Sequence, residues 1–366
     1  MKETKFKLKM KNIKILGIVL LIIIAILLFK PTVNIFSLMR KDYSFSEAFD
    51  INNSGLSEKI IKKGYNKIVA NNIKDKNFKK ENLDVYYKIK YYDNKEFLIN
   101  VNKLISQGYD SKEIDIINEK KDNEINEYLT NNYVEHIDEW LKYDYFKGKN
   151  IERYLKNFDG NYKDTIIKVN IGLDKEFYQD VNIIKEFSIE VLANKYNKLD
   201  PSFVPKELTT LTKCSGSNHF LSIEAKNAYD KLCDASINDG MNLSITSSYR
   251  GYESQQEIYD TYLKLYGQSY VDKYVATPGY SEHQTGLALD VKSLNSNIFK
   301  NSKEYKWMID NSYKYGFILR YPENKKDITG YNSEAWHFRY VGVEAATYIK
   351  ENNITYEEYY VMFLDK

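Results

Sequence analysis

Histidine, cysteine and proline are all scarce in this chain of 366 residues: there are four, two and five of them. Two cysteines without a CxxC spacing exclude a cysteine-built metal cluster. An excess of charge of either sign is also missing. The 53 basic and 51 acidic residues leave a formal net charge of +2. A dedicated nucleic-acid binder would show a strong basic surplus, so no nucleic-acid partner is expected. Tyrosine is plentiful, with 34 residues, and supplies amphipathic surface suited to carbohydrate or peptide. The length exceeds one ordinary core and predicts two units.

One uninterrupted apolar run, Ile15 to Phe29, follows Lys2, Lys5, Lys7, Lys9, Lys11 and Lys14. No small-x-small cleavage site and no lipid-accepting cysteine come after it. Residues 1–36 therefore read as a basic cytoplasmic flank and an uncleaved transmembrane signal anchor, in preference to a removed signal peptide. This predicts a single-pass protein of the cell membrane with everything after about residue 37 outside. An oxidising compartment would allow a bridge between Cys214 and Cys233. Cys233 also falls on an apolar helical face with Ala225, Ala228, Tyr229 and Leu232, so a buried thiol fits equally well.

Residues 37–192 read as a charged, mostly helical repeat or stalk region. "FKKENLDVYYK" at Phe78 aligns without gaps on "FKGKNIERYLK" at Phe146, and the same offset carries Val101 and Asn102 onto Val169 and Asn170. His136 lies in this region without partners at ligand spacing and reads as a surface residue. The pattern changes near residue 193, where two of the five prolines fall and extended stretches begin. Residues 193–366 are thus a separate domain. In it, "MNLSITSSYR" reads as a strand leading to Arg250, and "ESQQEIYDTYLKLYG" as a helix closed by Gly267.

Within "YSEHQTGLALDV", Leu287, Leu289 and Val291 share one strand face, and Ala288 and Asp290 the other. A buried carboxylate needs compensation, and His283 at the mouth of the strand can share a cation with it. Taken alone, a hydrogen-bonded core pair explains the two residues as well. "SEAWHFRYVG" adds Glu334 three residues before His337, a spacing that requires Glu334 to sit in a turn or bulge. Two imidazoles and one carboxylate leave zinc an open position, and a further carboxylate outside that set can take a proton from water. Arg250 is the candidate for stabilising a developing oxyanion.

These stretches resemble the VanY-like zinc D-alanyl-D-alanine carboxypeptidases, relatives of the VanX-type dipeptidases. "SEHQTGLALD" matches S-x-H-x-x-G-x-A-x-D, "EAWH" matches E-x-W-H, and "YRGYESQ" matches Y-R-x-x-x-x-Q, in family order. The resemblance implies Zn2+ as cofactor, with His283, Asp290 and His337 as ligands, Glu334 as general base and acid, and Arg250 as transition-state clamp. It further implies Gln255 and Ser281 as substrate-holding residues. Trp336 would line the site or fill the core. The implied fold is α+β, a small antiparallel sheet carrying the zinc with helices around it. The implied substrate is the peptidoglycan stem peptide, cut to release terminal D-Ala. The same zinc core serves L,D-carboxypeptidases and stem-peptide endopeptidases. A non-catalytic wall-binding or sensor protein is disfavoured, because a structural zinc site needs four ligands and no base.

Overall fold

The computed structural model describes residues 15–20, 29–120, 123–216 and 218–365. Two compact units divide the chain, Met1–Lys142 and Tyr143–Lys366. The division falls inside the segment read as repeats, so the second copy belongs to the same unit as the domain that follows it. Much of the N-terminal anchor expected over residues 1–36 lies outside the described residues. Among the described residues, no helix is long and apolar enough to cross a membrane.

The first unit is built of short helices around Leu38, Ala48, Ile51, Ile60, Val69 and Leu83. Helix starts at Phe45 and Ser111 are fixed by capping boxes, Ser44 with Glu47 and Asp110 with Glu113. The repeat seen in the sequence has a structural counterpart. Asn102 Oδ1 accepts from Asn82 Nδ2 at 2.7 Å and from the Tyr86 hydroxyl at 2.6 Å, while Asn102 Nδ2 donates to the Asn77 carbonyl at 2.7 Å. In the second unit, Asn170 accepts from Asn150 at 2.8 Å and from Tyr154 at 2.6 Å, and donates to the Tyr145 carbonyl at 2.8 Å. Every partner moves by the offset that carries Phe78 onto Phe146. The shared asparagine is thus the polar staple of each repeat, holding two helices and the loop before them.

The second unit centres on a four-stranded antiparallel sheet. Its strands are β1 (Leu243–Ser247), β2 (Ala288–Ser293), β3 (Phe317–Leu319) and β4 (His337–Tyr340), in the order β1-β2-β4-β3. A bulge between Ile245 and Ser247 shifts the β1–β2 register. Strand alternation does what the sequence predicts. Leu243, Ile245, Leu289, Val291, Phe317 and Phe338 face the helix Ile223–Asn238, where Tyr229, Leu232 and Cys233 complete the core. Asp290 and His337 occupy the opposite face. Two short ladders precede or flank the sheet, Asn182–Ile184 with Asn197–Leu199 in parallel and Leu208–Thr210 with Phe220–Ser222 antiparallel.

Cys214 and Cys233 form a disulfide, with Cα atoms 6.1 Å apart. This decides between the two readings left open by the sequence. The bridge closes a loop of sequence separation 19, for which chain entropy predicts about 3 kcal/mol of stabilisation. Urea denaturation with and without reductant should show a loss of that size, and an unchanged midpoint would count against it.

Candidate active site

Asp290 and His337 are direct register partners on neighbouring strands β2 and β4, so their side chains stand side by side on the sheet's open face. Asp290 Oδ1 lies 3.0 Å from His337 Nδ1. His283 comes from the 3-10 turn Glu282–Thr285 just before β2, and its Nε2 lies 3.3 Å from Asp290 Oδ2. The turn enters the strand through Gly286, at φ +66°, where an added Cβ would meet Pro205 Cγ at 2.9 Å. Glycine is required there by conformation and by space.

The two imidazole rings lie nearly perpendicular, at 88°, with centroids 5.0 Å apart. One ligand atom from each of His283, Asp290 and His337 falls within 4.8 Å of the others. Each outer imidazole nitrogen has its own acceptor. His283 Nδ1 donates to the Ser248 carbonyl at 2.8 Å, and His337 Nε2 is 3.3 Å from Glu282 Oε2. Those contacts set the tautomers so that the inner nitrogens present lone pairs beside a carboxylate. A divalent cation with nitrogen and oxygen ligands, such as zinc, fits this donor set.

Glu334 is placed by a turn, as its spacing demands. Its amide donates to the Tyr321 carbonyl at 3.0 Å, and His337 N donates back to the Glu334 carbonyl at 3.2 Å. Its Oε2 stands 3.9 Å from His337 Nδ1, beside the ligand set. Burial pushes its carboxyl above the ordinary glutamate value, partly offset by His337 and reinforced by Asp290. Arg250 follows β1; its amide donates to the His283 carbonyl at 3.2 Å. Its Nε is buried without a partner among the described residues. No carboxylate there holds Arg250 in an ion pair, so its fork remains available to a ligand.

Ser281 and Gln255 are both buried and both line the cleft, a cavity of about 400 Å³. Gln255 Nε2 donates to the Ala276 carbonyl at 2.7 Å, so the atom it leaves unpartnered is its acceptor Oε1. A donor role for Gln255 would therefore require that bond to be given up. Trp336 is 46% exposed and lines the cleft, which excludes core filling. His136 is exposed beside Glu135, far in sequence from any site residue.

Sequence reasoning missed what lies beneath the ligands. Glu282 is fully buried and accepts from Arg320 Nε at 2.8 Å and from Arg339 Nη1 at 3.1 Å, besides meeting His337. Arg320 also grips Glu357 bidentately, at 2.9 and 2.6 Å. Burial works against ionised Glu282, but the two guanidinium groups outweigh it and hold the carboxyl well below the usual range. Arg339 had a signal: it follows His337 by two on β4 and so shares its face, opposite the small Ala288. Glu357 had none.

A mixed sheet-and-helix unit with a three-residue His/Asp/His set and a neighbouring glutamate defines a metal-dependent hydrolase. The VanY D-alanyl-D-alanine carboxypeptidase family model matches residues 218–343. A putative carboxypeptidase, YodJ, of Bacillus subtilis (strain 168) is 36% identical over 206 residues, covering 52% of this chain and 76% of the relative. A D-alanyl-D-alanine carboxypeptidase of Enterococcus faecium is 32% identical over 238 residues, covering 60% and 74%. Similar solved structures include the LdcB LD-carboxypeptidase, at 36% identity and TM-score 0.47, covering 51% of this chain and 92% of that one. The chain belongs to the VanY D-alanyl-D-alanine carboxypeptidase family.

Metal occupancy is directly testable. His337→Ala removes one of three ligands and should lower zinc content sharply, as read by elemental analysis. Stoichiometric zinc in that variant would remove His337 from the ligand set.

Proposed function

We propose that this chain is a zinc D,D-carboxypeptidase that removes the terminal D-alanine from peptidoglycan stem peptides. The observation that carries the reading is the convergence of His283, Asp290 and His337 on one point with Glu334 beside them but outside the set. Bound there, zinc supplies the Lewis acidity that makes a water nucleophilic near neutral pH. Glu334 holds the proton released by that water and returns it to the departing amine. Its burial favours the first step, since a carboxylate whose pKa is raised is a stronger base toward the water. Arg250 offers a planar cation to negative charge at the cleaved bond, and Ser281 lines the same cleft.

The lysine-flanked apolar run at Ile15 to Phe29 supports membrane attachment with the catalytic unit outside the cell. Protease added to wall-free cells should then degrade the catalytic unit while a cytoplasmic control survives. Equal protection of both would overturn that orientation.

The activity itself is tested by mass spectrometry of muropeptides incubated with the full-length protein in detergent. Loss of a single D-alanine from pentapeptide stems is expected, with little cleavage once the terminal carboxylate is amidated. Preferential trimming of tetrapeptides would make the enzyme an L,D-carboxypeptidase, and release of a dipeptide or larger fragment would make it an endopeptidase.

A further inference from the structure

The cleft holds more positive charge than this chemistry uses. Lys195 and Lys326 both line it, together with Phe177's neighbour Tyr178 and with Tyr331. Among the described residues, neither lysine has a carboxylate within ion-pair distance. Lys195 is half-buried. Its stem runs past Gly330, where an added Cβ would lie 3.7 Å from Lys195 Cδ and 3.6 Å from the Phe177 ring. Its ammonium stands 4.1 Å from the Phe177 ring centre and 5.1 Å from that of Tyr331. Ring faces orient a cation without neutralising it. Burial, and then Lys326, press Lys195 below the ordinary lysine value, while the cleft residue Asp272 acts the other way. Holding an ammonium there without a bound counter-ion costs stability, and a cation kept in a cleft under those conditions marks a ligand site.

Ring contacts fix its place relative to the chemistry. His337 meets Tyr321 at 5.2 Å between centroids, Tyr321 meets Tyr331 at 4.8 Å, and Tyr331 meets Lys195. Lys195 is therefore two aromatic rings from a metal ligand. Arg250, by contrast, feels Asp290 and Glu334 directly. An extended peptide advances about 3.3–3.6 Å per residue, so Lys195 meets a substrate group roughly two to four residues from the cleaved bond.

We propose that Lys195, with Lys326 beside it, forms a second anion subsite that binds a carboxylate carried within the stem peptide, separate from the terminal carboxylate. This rests on the stem-peptide reading above. Stem peptides carry such a group on their internal acidic residue, and amidation there removes the charge with little change of shape. The subsite would make the enzyme distinguish free-acid from amidated stems. One charge-assisted contact corresponds to about a ten- to hundredfold preference.

The test compares kcat/KM of the full-length protein on two pentapeptide stems that differ only in that internal carboxyl, free or amidated. A parallel titration calorimetry series with the two tetrapeptide products reads binding without turnover. The wild-type protein should favour the free acid by at least about tenfold in both measurements. Lys195→Met, which keeps an unbranched stem against Gly330, should bring the ratio close to one, and Lys195→Arg should restore most of it. A wild-type ratio near one overturns the subsite whatever the variants do, and leaves the carboxypeptidase reading intact. A preference that survives in Lys195→Met also overturns it. A protein that neither cleaves nor binds either stem overturns both readings.

Discussion

Glu334→Gln should retain its zinc and lose turnover by a factor of about 10² to 10⁴. The variant keeps the shape of the side chain and leaves His283, Asp290 and His337 untouched, so elemental analysis should find wild-type metal content. What it loses is the capacity to accept a proton from water and to deliver it to the leaving amine. Both steps pass through one carboxylate, which argues for the upper part of the range. Near-normal release of D-alanine from a fully metallated variant would remove Glu334 from the mechanism. The same residue sets the acid limb of the pH profile. Its carboxyl is raised by burial above the ordinary glutamate value. The base form is the active one, so kcat/KM should fall on the acid side as Glu334 takes up a proton.

Arg320→Met should destabilise the protein by about 3 to 5 kcal/mol, as read from urea denaturation. Arg320 is fully buried, and its guanidinium is shared between Glu282 and Glu357, both also fully buried. Removing it leaves Glu357 as an uncompensated charge and Glu282 with only Arg339 and His337. Replacing Arg320 and Glu357 together should recover much of the loss, because the orphaned charge leaves with its partner. Glu282 orients His337, so the single variant should also bind zinc about 10 to 100 times more weakly. A stability loss under about 1 kcal/mol would show that the network contributes little. Protonation works in the same sense. The folded pKa of Glu282 is depressed, so its contribution is complete above the unfolded value and is lost only as pH falls through the folded one.

Much of the catalytic unit was legible because its signals are local. The two-residue period of "GLALDV" and "HFRY" assigns residues to the two faces of β2 and β4 before any partner is known. The three-residue gap between Glu334 and His337 forces a turn, and one is found. Val101 and Asn102 repeating as Val169 and Asn170 marked the position of a polar staple, although the sequence could not say what the asparagine binds.

The sequence by itself determined the strand faces and the repeat, which follow from spacing along the chain, whereas the proposed ligand set and base came from the resemblance of its motifs to the VanY-like family. Tertiary structure alone decided the pairing of Cys214 with Cys233, the register that sets Asp290 opposite His337, and the burial of Glu282 between Arg320 and Arg339. It also brought Lys195 to a wall of the cleft that Glu334 shares. Backbone periodicity fixes which way a side chain points. It does not fix what meets that side chain from a segment far along the sequence, which depends on how whole elements pack to fill the space between them.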